Sequence, residues 1–272
     1  FQGLSFQKGQ SPQQYPSSQM GAIALLRQTF LDADWYQKAL QKETNLALEA
    51  INRNRKSVWV FETGQKYEVL RAVNLAKEFN LNLLIKGKGD EYQRMDEIKA
   101  AGFPLILSLQ FPELPDVEDP LDASQISITD LKHWELAPYN AAMLSAKGIP
   151  FVITASDLKD PKSFLTSLRK SVECGLKEED ALAALTTKPA SLSGLSAQTG
   201  KIKSGDKASW LSASDNIFKK NSQILDHYIA GKRFPIMANP VQEKTGTFRM
   251  TLGDNNGFQL KINLKDGKPE FL

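Results

Sequence analysis

A chain of 272 residues, 41% of them hydrophobic and 24% charged, has ordinary globular composition and enough length for one large core or two modest ones. Its 34 basic and 31 acidic residues are interspersed, so no basic stripe marks a nucleic-acid face, and no apolar stretch nears the ~20 residues that span a bilayer. The single cysteine, Cys174, excludes an internal disulfide framework and a thiolate zinc site. Neither nucleic acid nor membrane is expected as a partner; a small-molecule ligand is.

The first 19 residues are rich in Gln, Ser and Pro and lack hydrophobic periodicity, which predicts a loop. Phe1 instead of an initiator Met suggests a chain cut from something longer. From Met20 to about residue 52, Leu25, Leu26, Phe30, Ala33, Tyr36, Leu40, Leu46 and Ile51 recur at near-helical spacing and predict one or two amphipathic helices.

An alternation of short apolar runs with helical patterns follows. The runs are Val58-Trp59-Val60-Phe61, then 81–85, 103–109 and 149–154, each nearly continuous in hydrophobicity, as parallel strands buried on both faces require. Helices are predicted over 65–79, 91–101, 131–147, 163–175 and 177–185. Gly102 and Gly148 stand between a helix and the next strand, where a left-handed C-cap suits glycine. The longer excursions, 112–130 and 156–162, follow strands, and in α/β folds the loops after the strands face the ligand. Site residues are therefore sought at Glu62, Thr63, Lys86, Lys88, Gln110, Thr154, Ser156 and Asp157.

Beyond Leu195 the pattern becomes short alternating segments, predicting strands near 201–211, 224–229, 247–252 and 257–264. Residues 237–245, with Pro240, read as a linker, and Asp254-Asn255-Asn256-Gly257 as a hairpin signal. The last strand stops at Leu272, again suggesting truncation.

Ala181-Leu182-Ala183-Ala184-Leu185-Thr186-Thr187-Lys188-Pro189-Ala190, then Gly194-Leu195 and Thr199-Gly200-Lys201-Ile202-Lys203-Ser204-Gly205-Asp206-Lys207-Ala208, resembles the closing segment of metal-dependent amidohydrolases, particularly the imidazolonepropionase-like branch. Ile229-Ala230-Gly231-Lys232 resembles the β-sandwich hairpin that follows it. The resemblance implies an α/β fold, a partial (β/α)8 barrel of about strands five to eight with C-terminal β-sandwich strands. It divides the chain into a loop and helices over 1–56, amidohydrolase-like βα units over 57–195, sandwich strands over 196–236, and a linker with the start of a further β segment over 237–272. Val58–Phe61 would be an open edge, with self-association or contact with an upstream half as the outcome.

The family usually holds zinc or another divalent metal on histidines of strands one, five and six, often a carboxylated lysine of strand four, and an aspartate of strand eight. This sequence departs from that set: the expected fifth and sixth strands end in Phe61-Glu62-Thr63 and Lys86-Gly87-Lys88, and the ligand aspartate aligns with Ala155. No metal is expected in this chain. Glu62 either substitutes as an oxygen ligand or pairs with Lys86 or Lys88; Asp157 either faces the mouth through a strand-end bulge or is a solvated carboxylate. These two are the catalytic candidates, and Thr63, Lys86, Lys88, Gln110, Thr154 and Ser156 the substrate-binding ones. His133 is read as a residue opening a helix and His227 as a strand residue. Three functions remain open: hydrolysis of C–N bonds in cyclic amides or related molecules, a catalytically degenerate module with a structural or binding role, and a metal-free small-molecule binding module.

Overall fold

The structure, a computed structural model, describes residues 2–6, 15–40 and 43–237, together with the backbone of three terminal strands. It divides into two compact units, Phe1–Lys201 and Ile202–Leu272.

The first unit is built on a parallel five-stranded sheet in sequential order: β1 (Gln2–Ser5), β2 (Val58–Glu62), β3 (Asn82–Lys86), β4 (Leu105–Ser108) and β5 (Phe151–Thr154). The register aligns Ser5 with Glu62, Glu62 with Lys86, Lys86 with Ile106, and Ser108 with Thr154, so the strand ends form one rim. The four apolar runs of the sequence are all strands. Leu83, Leu84 and Ile85 are buried in succession, as are Phe151, Val152 and Ile153, which explains why these strands show no alternation.

One expectation is overturned here. Gln2–Ser5 is a strand and not part of a loop, and it covers the edge of β2 that the sequence left open. Phe6 beyond it packs on Phe61 with ring centroids 4.5 Å apart. Of the rest of the 1–19 loop reading, residues 7–14 lie outside the described residues, 15–18 are in neither helix nor strand, and Gln19 already opens a helix.

Helix α1 (Gln19–Lys38) is capped by Ser18, whose hydroxyl accepts from the Gly21 N–H at 3.1 Å. It buries Ala22, Phe30, Ala33 and Tyr36, so the predicted apolar stripe packs within this unit; Met20 and Trp35 stay exposed. Helix α2 (Leu46–Arg53) follows, and Asn52 donates back to the Ala33 carbonyl at 2.8 Å.

The remaining helices run α3 (Lys66–Phe79), α4 (Met95–Ala101), α5 (Pro120–Gln125), α6 (Ile128–Leu136) and α7 (Asn140–Ala146) between the strands, then α8 (Phe164–Glu173), α9 (Glu178–Leu185) and α10 (Thr187–Leu192) after β5. The helix foreseen over 131–147 is two helices separated by a short 3-10 turn containing Pro138, whose missing N–H interrupts the ladder. The excursion 112–130 contains α5 and the start of α6. Gly102 and Gly148 do cap their helices with φ of 77° and 72°.

The second unit holds an antiparallel sheet of β6 (Trp210–Ala213), β7 (Ile224–Ile229) and β8 (Lys232–Pro235), with Ile229 paired to Lys232 across the Ala230-Gly231 turn. The strand foreseen over 201–211 begins only at Trp210; its glycine and charged residues form turns before that. A separate three-stranded sheet comprises β9 (Gly246–Leu252), β10 (Asn255–Lys265) and β11 (Lys268–Phe271). β9 and β10 pair antiparallel, with Asn255 opposite Leu252 and a register shift before Phe258; of the expected turn, Asn255–Gly257 belong to β10 and Asp254 lies outside the described residues. Residues 238–245, most of the expected linker, lie outside the described residues.

Candidate functional site

At the carboxyl rim of the sheet, three strands bring five of the expected side chains together. Lys86, at the end of β3, has its ammonium 3.0 Å from Glu62 Oε1, 3.0 Å from Ser156 Oγ and 3.0 Å from Asp157 Oδ1. All three donors of the ammonium are thus taken. Two residues on, Lys88 donates to Asp157 Oδ2 at 3.1 Å and stands 3.9 Å from Glu62. The period of two along an extended segment is what puts both lysines on one side.

Asp157 meets them where the backbone turns into the left-handed region at φ 74°, three residues past the end of β5. Aspartate is among the few residues that tolerate this conformation. Backbone held there by its surroundings is more common at functional sites than elsewhere. Burial pulls the Lys86 pKa down, but hydrogen bonds to Asp157 and Glu62 outweigh it and hold the ammonium above its ordinary value. Burial likewise pushes the Asp157 carboxyl up, yet the two lysines prevail and keep it below the usual carboxylate range. Both groups are charged at neutral pH. A protonated Lys86 donates to Ser156 and cannot take its proton, so the serine has no general base in this arrangement.

The remaining candidates are placed differently. Thr63 is buried, with its hydroxyl and N–H both directed to the Lys86 carbonyl, at 2.9 and 3.0 Å; it fixes the β2–β3 rim. Thr154 accepts the Ser156 N–H at 3.1 Å, and Ser108 donates to the Ser156 carbonyl at 2.9 Å, so the segment carrying Asp157 is tied at both ends of Ser156. Gln110 accepts the Lys159 N–H at 3.1 Å and faces an adjoining open pocket of about 360 Å³, lined also by Lys88, Phe111, Glu113, His133 and Lys159.

The sequence reading missed His133 as a site residue. It sits well inside α6 and does not open the helix, and its Nδ1 lies 3.3 Å from the Tyr92 hydroxyl with the rings stacked at 6.1 Å. His227, by contrast, is a strand residue as foreseen, paired between Leu211 and Phe234.

Also unforeseen is Glu91, fully buried behind the rim. Its Oε1 accepts the Gly89 N–H at 3.1 Å and its Oε2 the Asn140 amide at 2.7 Å, while Asn140 Oδ1 accepts the Tyr92 N–H at 2.9 Å. This ties the loop bearing Lys88 to α7. Burial pushes the Glu91 carboxyl above the ordinary carboxylate range. A raised acid pKa favours folding fully below the unfolded value and loses that contribution as pH rises through the folded one. The slope of stability against pH should therefore fall above the unfolded carboxylate pKa of about 4.3, and Glu91→Gln should remove that component. Urea titrations from pH 4 to 9 with identical slopes for both proteins would refute this.

Among the described residues no three His, Cys, Asp or Glu side chains gather in a group that could hold a metal ion. No described helix is long and apolar enough to cross a membrane.

Comparison with known proteins finds likeness in structure alone. No family model matches the chain, and no curated protein matches it. An amidohydrolase from Thermotoga maritima is similar with a TM-score of 0.67 at 22% identity, covering 86% of this chain and 62% of its own. A second amidohydrolase gives 0.53 at 13% identity, and a prolidase solved with N-methylphosphonate-L-proline gives 0.51 at 12%; each covers 86% of this chain and 67% of its own. The chain spans less than two thirds of the Thermotoga protein. The shared feature is the fold: a parallel sheet with crossover helices, of the kind amidohydrolases use.

Proposed function

We propose that this chain forms part of an amidohydrolase-type (β/α)8 barrel acting on C–N bonds of cyclic amides or related small molecules, with the rim around Lys86 as its contribution to the site. The observation that carries this reading is the convergence of Glu62, Lys86, Lys88, Ser156 and Asp157 from three different strands onto the carboxyl rim, beside an open pocket. Parallel strands deliver their following loops to one face, and in barrels of this type that face carries the chemistry. Five strands do not close such a barrel, so the reading includes three more strands beyond the edges of β1 and β5. Within the class, the segment from Ala181 to Ala208 favours the imidazolonepropionase-like branch.

In this reading Lys88, more exposed than Lys86, presents positive charge to the pocket, and Glu62 and Asp157 hold the two ammonium groups in place. Glu62→Gln and Asp157→Asn in the full-length protein should each lower kcat/KM for a cyclic-amide substrate about 100-fold or more, the range for removing a positioned charged group. If a screen of cyclic amides and N-acyl amino acids finds turnover and both variants keep it in full, the site lies elsewhere.

A second reading is a catalytically degenerate module that binds without turnover. What favours it is that lysine engages both oxygens of Asp157 and one oxygen of Glu62, and that the group donating to Ser156 is itself an ammonium. Absence of turnover in that screen, with calorimetric binding that Lys88→Ala abolishes, would select it.

A further inference from the structure

The divalent ion that amidohydrolases of this kind use does not fit the residues present, and the misfit has a definite chemical form. A divalent ion at such a rim needs several oxygen or imidazole ligands at about 2.0–2.2 Å. Here the acceptors that face one another are Glu62 Oε1, Asp157 Oδ1 and Ser156 Oγ, and each already lies 3.0 Å from a single nitrogen, Lys86 Nζ. The spacing suits an ammonium, whose three N–H groups point to three oxygens. Lys88 neutralises the second oxygen of Asp157 at 3.1 Å. Two positive and two negative charges therefore balance within the cluster, and no imidazole belongs to it.

We propose that Lys86 is the resident cation of this rim: its ammonium occupies the point where strand-end oxygens of β2 and β5 converge, and it excludes a divalent metal from them. The lysine stem reaches from β3 to Glu62 on the adjacent strand and to Ser156 and Asp157 after β5, two strands away, and the Lys86 side chain is only 13% exposed, so its head is fixed by packing as well as by charge. The proposal rests on reading these strand ends as an amidohydrolase-type site, but its test requires no turnover.

The experiment is manganese binding to the full chain, followed by electron paramagnetic resonance and calorimetry. Wild type is expected to bind no stoichiometric Mn²⁺. Lys86→Met keeps the stem and deletes the charge, freeing Glu62, Asp157 and Ser156, and should bind one Mn²⁺ per chain at least tenfold more tightly. Adding Glu62→Gln should abolish that gain. Lys86→Arg, which keeps the charge, should behave as wild type. Should circular dichroism show Lys86→Met unfolded, Lys86→Gln takes its place; Lys86→Met with Lys88→Met covers rearrangement of the second lysine.

One tightly held ion in wild type, lost on Glu62→Gln, overturns the proposal. So does failure of every folded charge-deleting variant to bind Mn²⁺, which would leave the carboxylates as lysine partners only. Neither result bears on whether cyclic amides are hydrolysed, so failure here and failure of the hydrolase reading remain separate.

Discussion

Phe30→Ala should lower the stability of the first unit by about 3–5 kcal/mol, the range for truncating a buried aromatic ring. The ring is 2% exposed and sits between the sheet and the helix layer. It meets Trp59 edge-on at 5.6 Å and stacks on Phe79 at 5.1 Å. The Arg55 guanidinium lies 5.0 Å from its centre while pairing with Asp34 at 2.8 Å. Removing the ring leaves a cavity between α1, β2 and α3 and strips a half-buried cation of its aromatic contact. Against typical total stabilities of about 5–15 kcal/mol, this is a large fraction, and the midpoint of urea unfolding should drop accordingly. A loss below about 1 kcal/mol would mean that α1 is not docked on the sheet through this ring.

The second large effect is expected at Gly87, between the two site lysines. A Cβ there would lie 1.7 Å from Glu91 Oε1 and 2.6 Å from its Cδ. An exposed carboxylate would swing away; this one is fully buried and holds the Gly89 N–H and the Asn140 amide. Gly87→Ala must displace it, combining overpacking at about 1–3 kcal/mol with the loss of buried hydrogen bonds at about 1–3 kcal/mol. A net loss of roughly 2–5 kcal/mol follows, together with altered placement of Lys86 and Lys88. The double variant Gly87→Ala with Glu91→Ala should lose less than the sum of the singles, because the steric conflict disappears with the side chain. Strict additivity would show that the contact does not govern the loop.

Physical locality decides how much of this was legible in the sequence. Strands β2 to β5 announced themselves because burial on both faces leaves little but apolar residues, and α3, α8 and α9 because one face of each is buried. β1 did not: in Gln2-Gly3-Leu4-Ser5 a single apolar residue gives no pattern, and its strand state derives from pairing with Trp59–Glu62 far along the chain. Glu62, Lys86 and Lys88 could be placed at strand ends by counting, and the pairing of Glu62 with these lysines was one of the alternatives the residues allowed. What counting cannot supply is the backbone turn at Asp157 that decides which carboxylate meets which lysine. The contacts of His133 with Tyr92 and of Glu91 with Asn140 join residues 41 and 49 positions apart and leave no periodic trace.

The left-handed backbone at Asp157 sets a rule for choosing substitutions in this loop. Asparagine accepts the same torsion angles, so Asp157→Asn removes the charge and one of the two oxygens that accept from Lys86 and Lys88 without backbone cost, whereas alanine at that position adds about 1–2 kcal/mol of backbone cost to the loss of the carboxylate. Glycine relieves the torsion and removes the charge together. A set of Asn, Ala and Gly at this one residue thus resolves, by subtraction, how much of any functional loss is electrostatic and how much is the shape of the main chain.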